Sequence, residues 1–171
     1  MVKFAINDLK KHIKISLSEQ QIIDCLDSLG LEVEQSIKIS DTLGFFKVVE
    51  IKEVSKHKNA NKLNLCTVFD GNCTFQIVCG ADNVEKDMKA ILAPIDSVIP
   101  LNGMKIKEAV IRGEKSNGML CSAEEICMND VFNNNGIVKL PSDMLVGELL
   151  IDQLQINDTI IDVSITPNRG D

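Results

Sequence analysis

The sequence predicts a mainly β protein with α+β flanks, in which a small closed β-barrel is inserted in a split α+β domain. Three observations predict it. From Phe45 to Leu140, short apolar runs with partial alternation are separated by Gly, Pro and Asp-Gly turns, with few helix signals. Residues 1–39 read instead as helix, helix, strand, and the end of the chain reads as one half-buried strand. Neither end piece can bury a core alone. The economical arrangement pairs residues 1–39 with residues 149–171 as one domain and sets a second domain, residues 40–148, between them, because the ends of a compact insert often lie close together.

The elements follow in order. Asn7 can cap a short helix that runs through His12. Ser18 and Gln21 form a capping box, each side chain positioned to bond the other's free backbone N–H. The helix they open turns Ile22, Ile23, Leu26 and Leu29 to one side, and Gly30 stops it. Leu31, Val33 and Ile37 predict a strand. Phe46 to Val54 is a long strand, Leu63 to Phe69 the next, and Asp70-Gly71 turns a hairpin into Cys73 to Cys79. Lys89 to Ala93 and Ile106 to Ile111 are further strands, with Ile137 to Leu140 closing the set. Five or so strands over about 105 residues suit a small barrel better than an open sheet, and the oligonucleotide-binding (OB) fold is the candidate. Ile161, Val163 and Ile165 then alternate with polar residues before a turn at Pro167-Asn168-Arg169-Gly170. The stop just after that turn, without a polar tail, points to a piece of a larger protein.

Composition narrows the function. The chain is 44% hydrophobic, enough for a core, and its longest apolar stretch, Ala90 to Ile95, is far short of the roughly 18 residues that span a bilayer. Charge interrupts the start too early for a signal peptide. A soluble, cytoplasmic chain with no membrane partner is expected. The six cysteines include no Cys-x-x-Cys pair and there are only two histidines, so no metal site is expected; Cys66 and Cys79 sit in apolar runs and read as small buried hydrophobes. The net charge of −7 conceals clusters: Lys47 to Lys62 holds five lysines against two glutamates, and Lys105 to Lys115 holds four cations against two.

Two stretches carry chemistry. Lys56 to Leu63 is a polar, basic turn between strands, readable either as a solvated loop or as a phosphate contact. Ser116 to Ser122 sets small residues beside the cationic Ile111-Arg112-Gly113, readable as a tight turn with Met119 and Leu120 in the core or as a surface open to phosphate or a base. Gly80 to Val84 lacks the Lys-Ser/Thr of a phosphate-binding loop. No serine or cysteine near His57 in sequence suggests a relay partner, and Glu124 and Glu125 read as the first turn of a helix, so no catalytic residue is expected. With no Trp or Tyr, a sheet of paired stacking aromatics is disfavoured.

The order of these motifs, His57 to Leu63, Gln76 to Val84, Lys105-Ile106-Lys107, Ile111-Arg112-Gly113 and Ser116 to Ser122, resembles the EMAP-II-like tRNA-binding domain, an OB barrel. The flanks, Asn7 to Lys10, Leu29 to Glu34 and Asp162 to Asp171, resemble the β subunits of bacterial phenylalanine–tRNA ligases. The resemblance implies an α2β2 parent enzyme that charges tRNA-Phe using ATP and magnesium, with its active site in the α subunit and its editing site and β-subunit magnesium ligands beyond Asp171. This stretch would then be a tRNA-binding accessory part with no cofactor of its own. The residues carried over are Asn59 and Lys62 in the first loop and Arg112, Ser116 and Met119 in the later stretch. With the neighbouring cations, the expected tRNA-binding set is Lys56, His57, Lys58, Asn59, Lys62, Lys107, Arg112, Lys115, Ser116 and Met119, acting mainly through phosphate and shape. DNA is not an expected partner. Lys58 and Asn61 stand where the family usually has proline and aspartate, which loosens the loop and makes it more positive. A structural role in assembly, or a free-standing tRNA-binding protein, are the alternatives.

Overall fold

The computed structural model describes residues 2–132 and 135–165, which form two compact units. The expected turn at Pro167 to Gly170 lies outside the described residues.

The smaller unit takes both ends of the chain, residues 1–41 and 156–171. Its elements are β1 (Val2–Ala5), α1 (Ile6–His12), α2 (Glu19–Ser28), β2 (Glu32–Lys38) and the first residues of α3 (Ile39–Leu43). Strand β1 has no sequence signal beyond Phe4, because Lys3 breaks its apolar run. Lys3 stands opposite Asp162 in the antiparallel register and pairs with it at 3.4 Å. The capping box of α2 forms, with Ser18 N–H donating to Gln21 Oε1 at 2.9 Å and Gln21 N–H to Ser18 Oγ at 3.3 Å. Asn7 does not cap α1. Its backbone N–H instead donates to both carboxylate oxygens of Asp158, at 3.1 Å each, a partner far along the chain that local pattern could not indicate. On α2, Ile22 is buried while Leu29, expected on the same face, is 56% exposed, because the helix has ended by then.

The larger unit covers residues 42–155 and consists of β3 (Lys47–Lys56), β4 (Asn64–Phe69), β5 (Thr74–Cys79), β6 (Lys89–Ala93), β7 (Ala109–Ile111), β8 (Glu114–Ser116), β9 (Met119–Leu120) and α4 (Leu150–Gln153). The smaller unit is completed by β10 (Thr159–Ser164), the central strand of an antiparallel sheet ordered β1-β10-β2. The boundary before β10 falls at Gln155 rather than after Glu148, since Leu150 N–H donates to Phe46 C=O and Leu150 and Ile151 are buried in the larger unit.

The five-stranded sheet of the larger unit has the order β5-β4-β3-β6-β9. Its inner face is the period-2 set Val49, Ile51, Cys66, Val68, Ile77, Cys79, Met88, Ala90, Leu92 and Leu120, all buried. The sheet curls until its edges meet: Asn117 N–H donates to Gln76 C=O at 3.0 Å and Val78 N–H donates to Ser116 Oγ at 3.1 Å. This is the curled, mainly β barrel that the strand spacing predicts. The later elements differ from expectation. Ile106 pairs backward with Ser97, so the strand begins only at Ala109 and forms a short hairpin with β8. Ile137 to Leu140 makes isolated bridges, to Ser122 and Lys89, rather than a strand. Glu125 opens no helix. Its Oε2 accepts from Ser122 N–H at 2.7 Å and Ser122 Oγ at 2.9 Å, closing a turn.

Candidate nucleic-acid interface

The basic turn between β3 and β4 is built around a buried histidine. His57 N–H donates to Leu63 C=O at 3.0 Å, which closes the loop. The imidazole, 4% exposed, accepts from Asn59 N–H at Nδ1, 3.0 Å away. Nδ1 therefore carries no proton, so Nε2 does, and it donates to Ile111 C=O at 3.2 Å. One side chain thus fixes the loop's conformation and ties it to the β7–β8 hairpin. The motif sets His57 among the RNA-facing residues; in the structure it positions the loop instead.

The hairpin places a cation against that loop. Its two-residue tip is Arg112-Gly113, with φ of 49° and 94°. Both residues in the left-handed region define a tight hairpin turn that usually takes Asn-Gly. Arginine there is strained, and an Arg-Gly pair gives no hairpin signal in the sequence. Since Ile111 C=O is held by His57, Arg112 stands beside the loop, and Asn59, Ala60, Asn61, Lys62, Leu63 and Arg112 line one cleft of about 430 Å3. Lys56, Lys58, Lys62 and Arg112 are exposed and make no salt bridge among the described residues.

A second, larger hollow of about 610 Å3 opens on the other side of Leu63 and Ile111. Lys107, Ser116 and Met119 reach it, together with Val78, Ile106 and Glu125. Ser116 is 3% exposed, its hydroxyl accepting from Val78 N–H and donating to Gly118 C=O at 3.0 Å. Expected at the surface like His57, it seals the barrel edge. Two cations of the second cluster are engaged. Lys105 pairs with Asp96 at 2.8 Å, and its hydrogen bond and charge hold the Asp96 carboxyl below its usual range. Lys115 pairs with Glu108 at 3.3 Å across a well-exposed surface, which leaves it only weakly held. The ten expected residues thus divide. Asn59, Lys62 and Arg112 share the cleft, Lys107, Ser116 and Met119 border the hollow, and Lys56 and Lys58 flank the loop. Lys115 faces Glu108 and His57 is internal. Leu63 lines both hollows and Ile111 the larger one. The sequence marks them as strand and motif residues but gives no sign of that role.

A curled β-barrel with an exposed cationic loop locked against a cationic hairpin suits an oligonucleotide-binding module. Residues 46–149 match the family model described as "Putative tRNA binding domain", and the chain belongs to that family. Over nearly its whole length it is similar to phenylalanine–tRNA ligase beta subunits: 45% identical over 170 residues to that of Rickettsia prowazekii (strain Madrid E) and 42% over 165 residues to that of Geobacter metallireducens. These matches cover 99% and 96% of this chain but 21% and 20% of the relatives, so the chain spans about one fifth of their length. Among solved structures, a MetRS-related protein from Pyrococcus horikoshii is 25% identical with a TM-score of 0.44, covering 61% of this chain and 87% of that one.

Proposed function

We propose that this chain is the tRNA-binding accessory region of a phenylalanine–tRNA ligase β subunit and contributes to charging tRNA-Phe without carrying the active site. The observation that carries the reading is the cleft in which Lys62 and Arg112 stand exposed beside Asn59 and Asn61. It offers two charges with no acidic partner among the described residues and two amides able to bond phosphate or sugar. The parent enzyme, cytoplasmic and assembled with an α subunit as α2β2, would use ATP and magnesium at sites outside this stretch. Similarity across the flanks as well as the barrel favours the synthetase part over a free-standing tRNA-binding protein. Among the described residues no helix is long and apolar enough to cross a membrane.

The test is a titration of the 171-residue chain into labelled tRNA-Phe, a non-cognate tRNA and duplex DNA at low and near-physiological salt. Binding of both tRNAs over DNA, with affinity falling steeply as salt rises, is the expected result. No binding at low salt would overturn the reading and assign the region to assembly of the subunit.

A further inference from the structure

The two hollows of the interface meet at Leu63, which lines both, and differ in size and in what stands at their margins. The smaller cleft has Lys62 and Arg112 exposed at it beside the amides of Asn59 and Asn61, as a phosphate site requires. The larger hollow is lined mainly by carbon and sulfur, from Leu63, Val78, Ile106, Ile111 and Met119 among others, with Lys105, Lys107 and Glu125 also bordering it. Leu63 borders both, and the consecutive residues Ile111 and Arg112 lie one in each. A ligand that spans them must therefore present a flat or apolar body and, a few bonds away, an anionic group. A stacked base pair cannot do this, because its faces are covered by its neighbours. An unpaired nucleotide can.

We propose that the hollow behind Leu63 and Ile111 seats one unstacked RNA base while the Lys62–Arg112 cleft holds its adjoining phosphate, so that the module captures a single-stranded tRNA nucleotide. The proposal rests on the tRNA-binding reading above and deepens it. The volume of about 610 Å3 lies within the range of small-molecule sites. Without Trp or Tyr in the chain, the base face meets aliphatic carbon and the soft thioether of Met119 instead of a ring. Lys107 stands exposed at the margin, able to meet a neighbouring phosphate. Inside, Glu125 spends Oε2 on Ser122, which leaves Oε1 to accept from an N–H on the base edge. Nucleotides already unpaired cost least to seat, since no stacking is lost. Loops and ends of tRNA are therefore the regions this site selects, rather than its stems.

The probe is a short single-stranded RNA with 2-aminopurine at its centre, compared with the same strand in a duplex and with unmodified tRNA, all titrated with the 171-residue chain. Emission of 2-aminopurine rises when it leaves the stack, and no indole is present to quench it. The expected result is a several-fold rise at saturation and binding of the single strand about tenfold tighter than of the duplex, as the stacking scale allows. Ala109→Ile fills the hollow from an exposed strand position, so the fold is spared, and it should abolish the rise; Lys62→Ala should weaken binding yet leave the rise at saturation intact. Binding of tRNA and of the short strand with 2-aminopurine emission unchanged, or equal affinity for duplex and single strand, overturns the base site and leaves the phosphate reading standing. Failure of every RNA to bind overturns both. A rise that survives Ala109→Ile places the unstacked base elsewhere and also ends the proposal.

Discussion

His57 and Ser116 stand in the same two motifs as Lys62 and Arg112, yet the first pair is buried and the second exposed. The difference lies in what each side chain can do. Imidazole and hydroxyl both donate and accept, so each can satisfy two backbone groups at once: Asn59 N–H and Ile111 C=O for His57, Val78 N–H and Gly118 C=O for Ser116. Ammonium and guanidinium only donate, and burying them without an anion is costly, so they remain at the surface. A binding motif is thus two sets of residues, one that builds the shape and one that presents the charge. The two sets should fail in different ways.

The largest effect is expected where the shape depends on backbone. Gly118 has φ of 127°, and a Cβ there would meet Ala93 C=O at 2.9 Å and Leu92 Cδ1 at 3.0 Å. Gly118→Ala therefore combines a strained conformation with a backbone clash and should cost about 3 kcal/mol, read as a lowered urea midpoint. A loss under about 0.5 kcal/mol, the range of ordinary surface changes, would show that the Ser116–Gly118 turn relaxes freely and does not define the barrel edge.

Next comes His57. Its replacement by alanine leaves Asn59 N–H and Ile111 C=O without their partner and should cost about 2 kcal/mol. Because the loop and hairpin lose their tie, tRNA affinity should fall as well, although almost none of the imidazole is exposed. His57→Gln, which keeps a donor and an acceptor, should restore part of both. Full tRNA affinity in a destabilised His57→Ala protein would separate loop geometry from binding.

Arg112 tests the charged set alone. Arg112→Asn keeps a residue that tolerates the left-handed conformation while removing the cation, so stability should hold or rise slightly. Binding should weaken and the salt dependence should flatten by about one unit of slope, the signature of one lost phosphate contact. An unaltered slope would remove Arg112 from the contacts.

How much of this is legible in the sequence follows from the same division. The barrel strands are readable because Val49, Ile51, Cys66, Val68, Ile77 and Cys79 alternate inward, a pattern that short-range sequence carries. The charges of the cleft are readable from clustering. The hidden roles of His57 and Ser116 are not, because their partners Ile111 and Val78 are 54 and 38 residues away and join them only when the sheet curls. The β7–β8 hairpin escapes notice for a local reason: Arg112 occupies a turn position that favours Asn or Gly, so no turn signal marks it. Asp158 at the start of α1 belongs with the first kind, a cap supplied from the other end of the chain.

The smallest effect at neutral pH comes from ionisation of the thiols, which divide along the same line of burial. Cys25, Cys73 and Cys127 are exposed, while Cys66, Cys79 and Cys121 are buried. Burial, reinforced slightly by Cys79, pushes the Cys66 thiol up to about 12, and burial raises Cys79 and Cys121 as well. A folded-state value above that of the unfolded chain means the native state keeps its proton longer. These groups therefore leave stability unchanged below about pH 8 and erode it as pH rises from the unfolded thiol value near 8.5 toward about 12. Urea midpoints should be flat from about pH 6 to 8 and fall by about pH 10, and Cys66→Ala should lower the midpoint at about pH 7 but flatten the fall above about pH 8. Alkylation of the native protein should stop at the three exposed thiols, counted by mass. An alkaline fall of the same steepness in Cys66→Ala would mean that ionisation inside the barrel does not cause it.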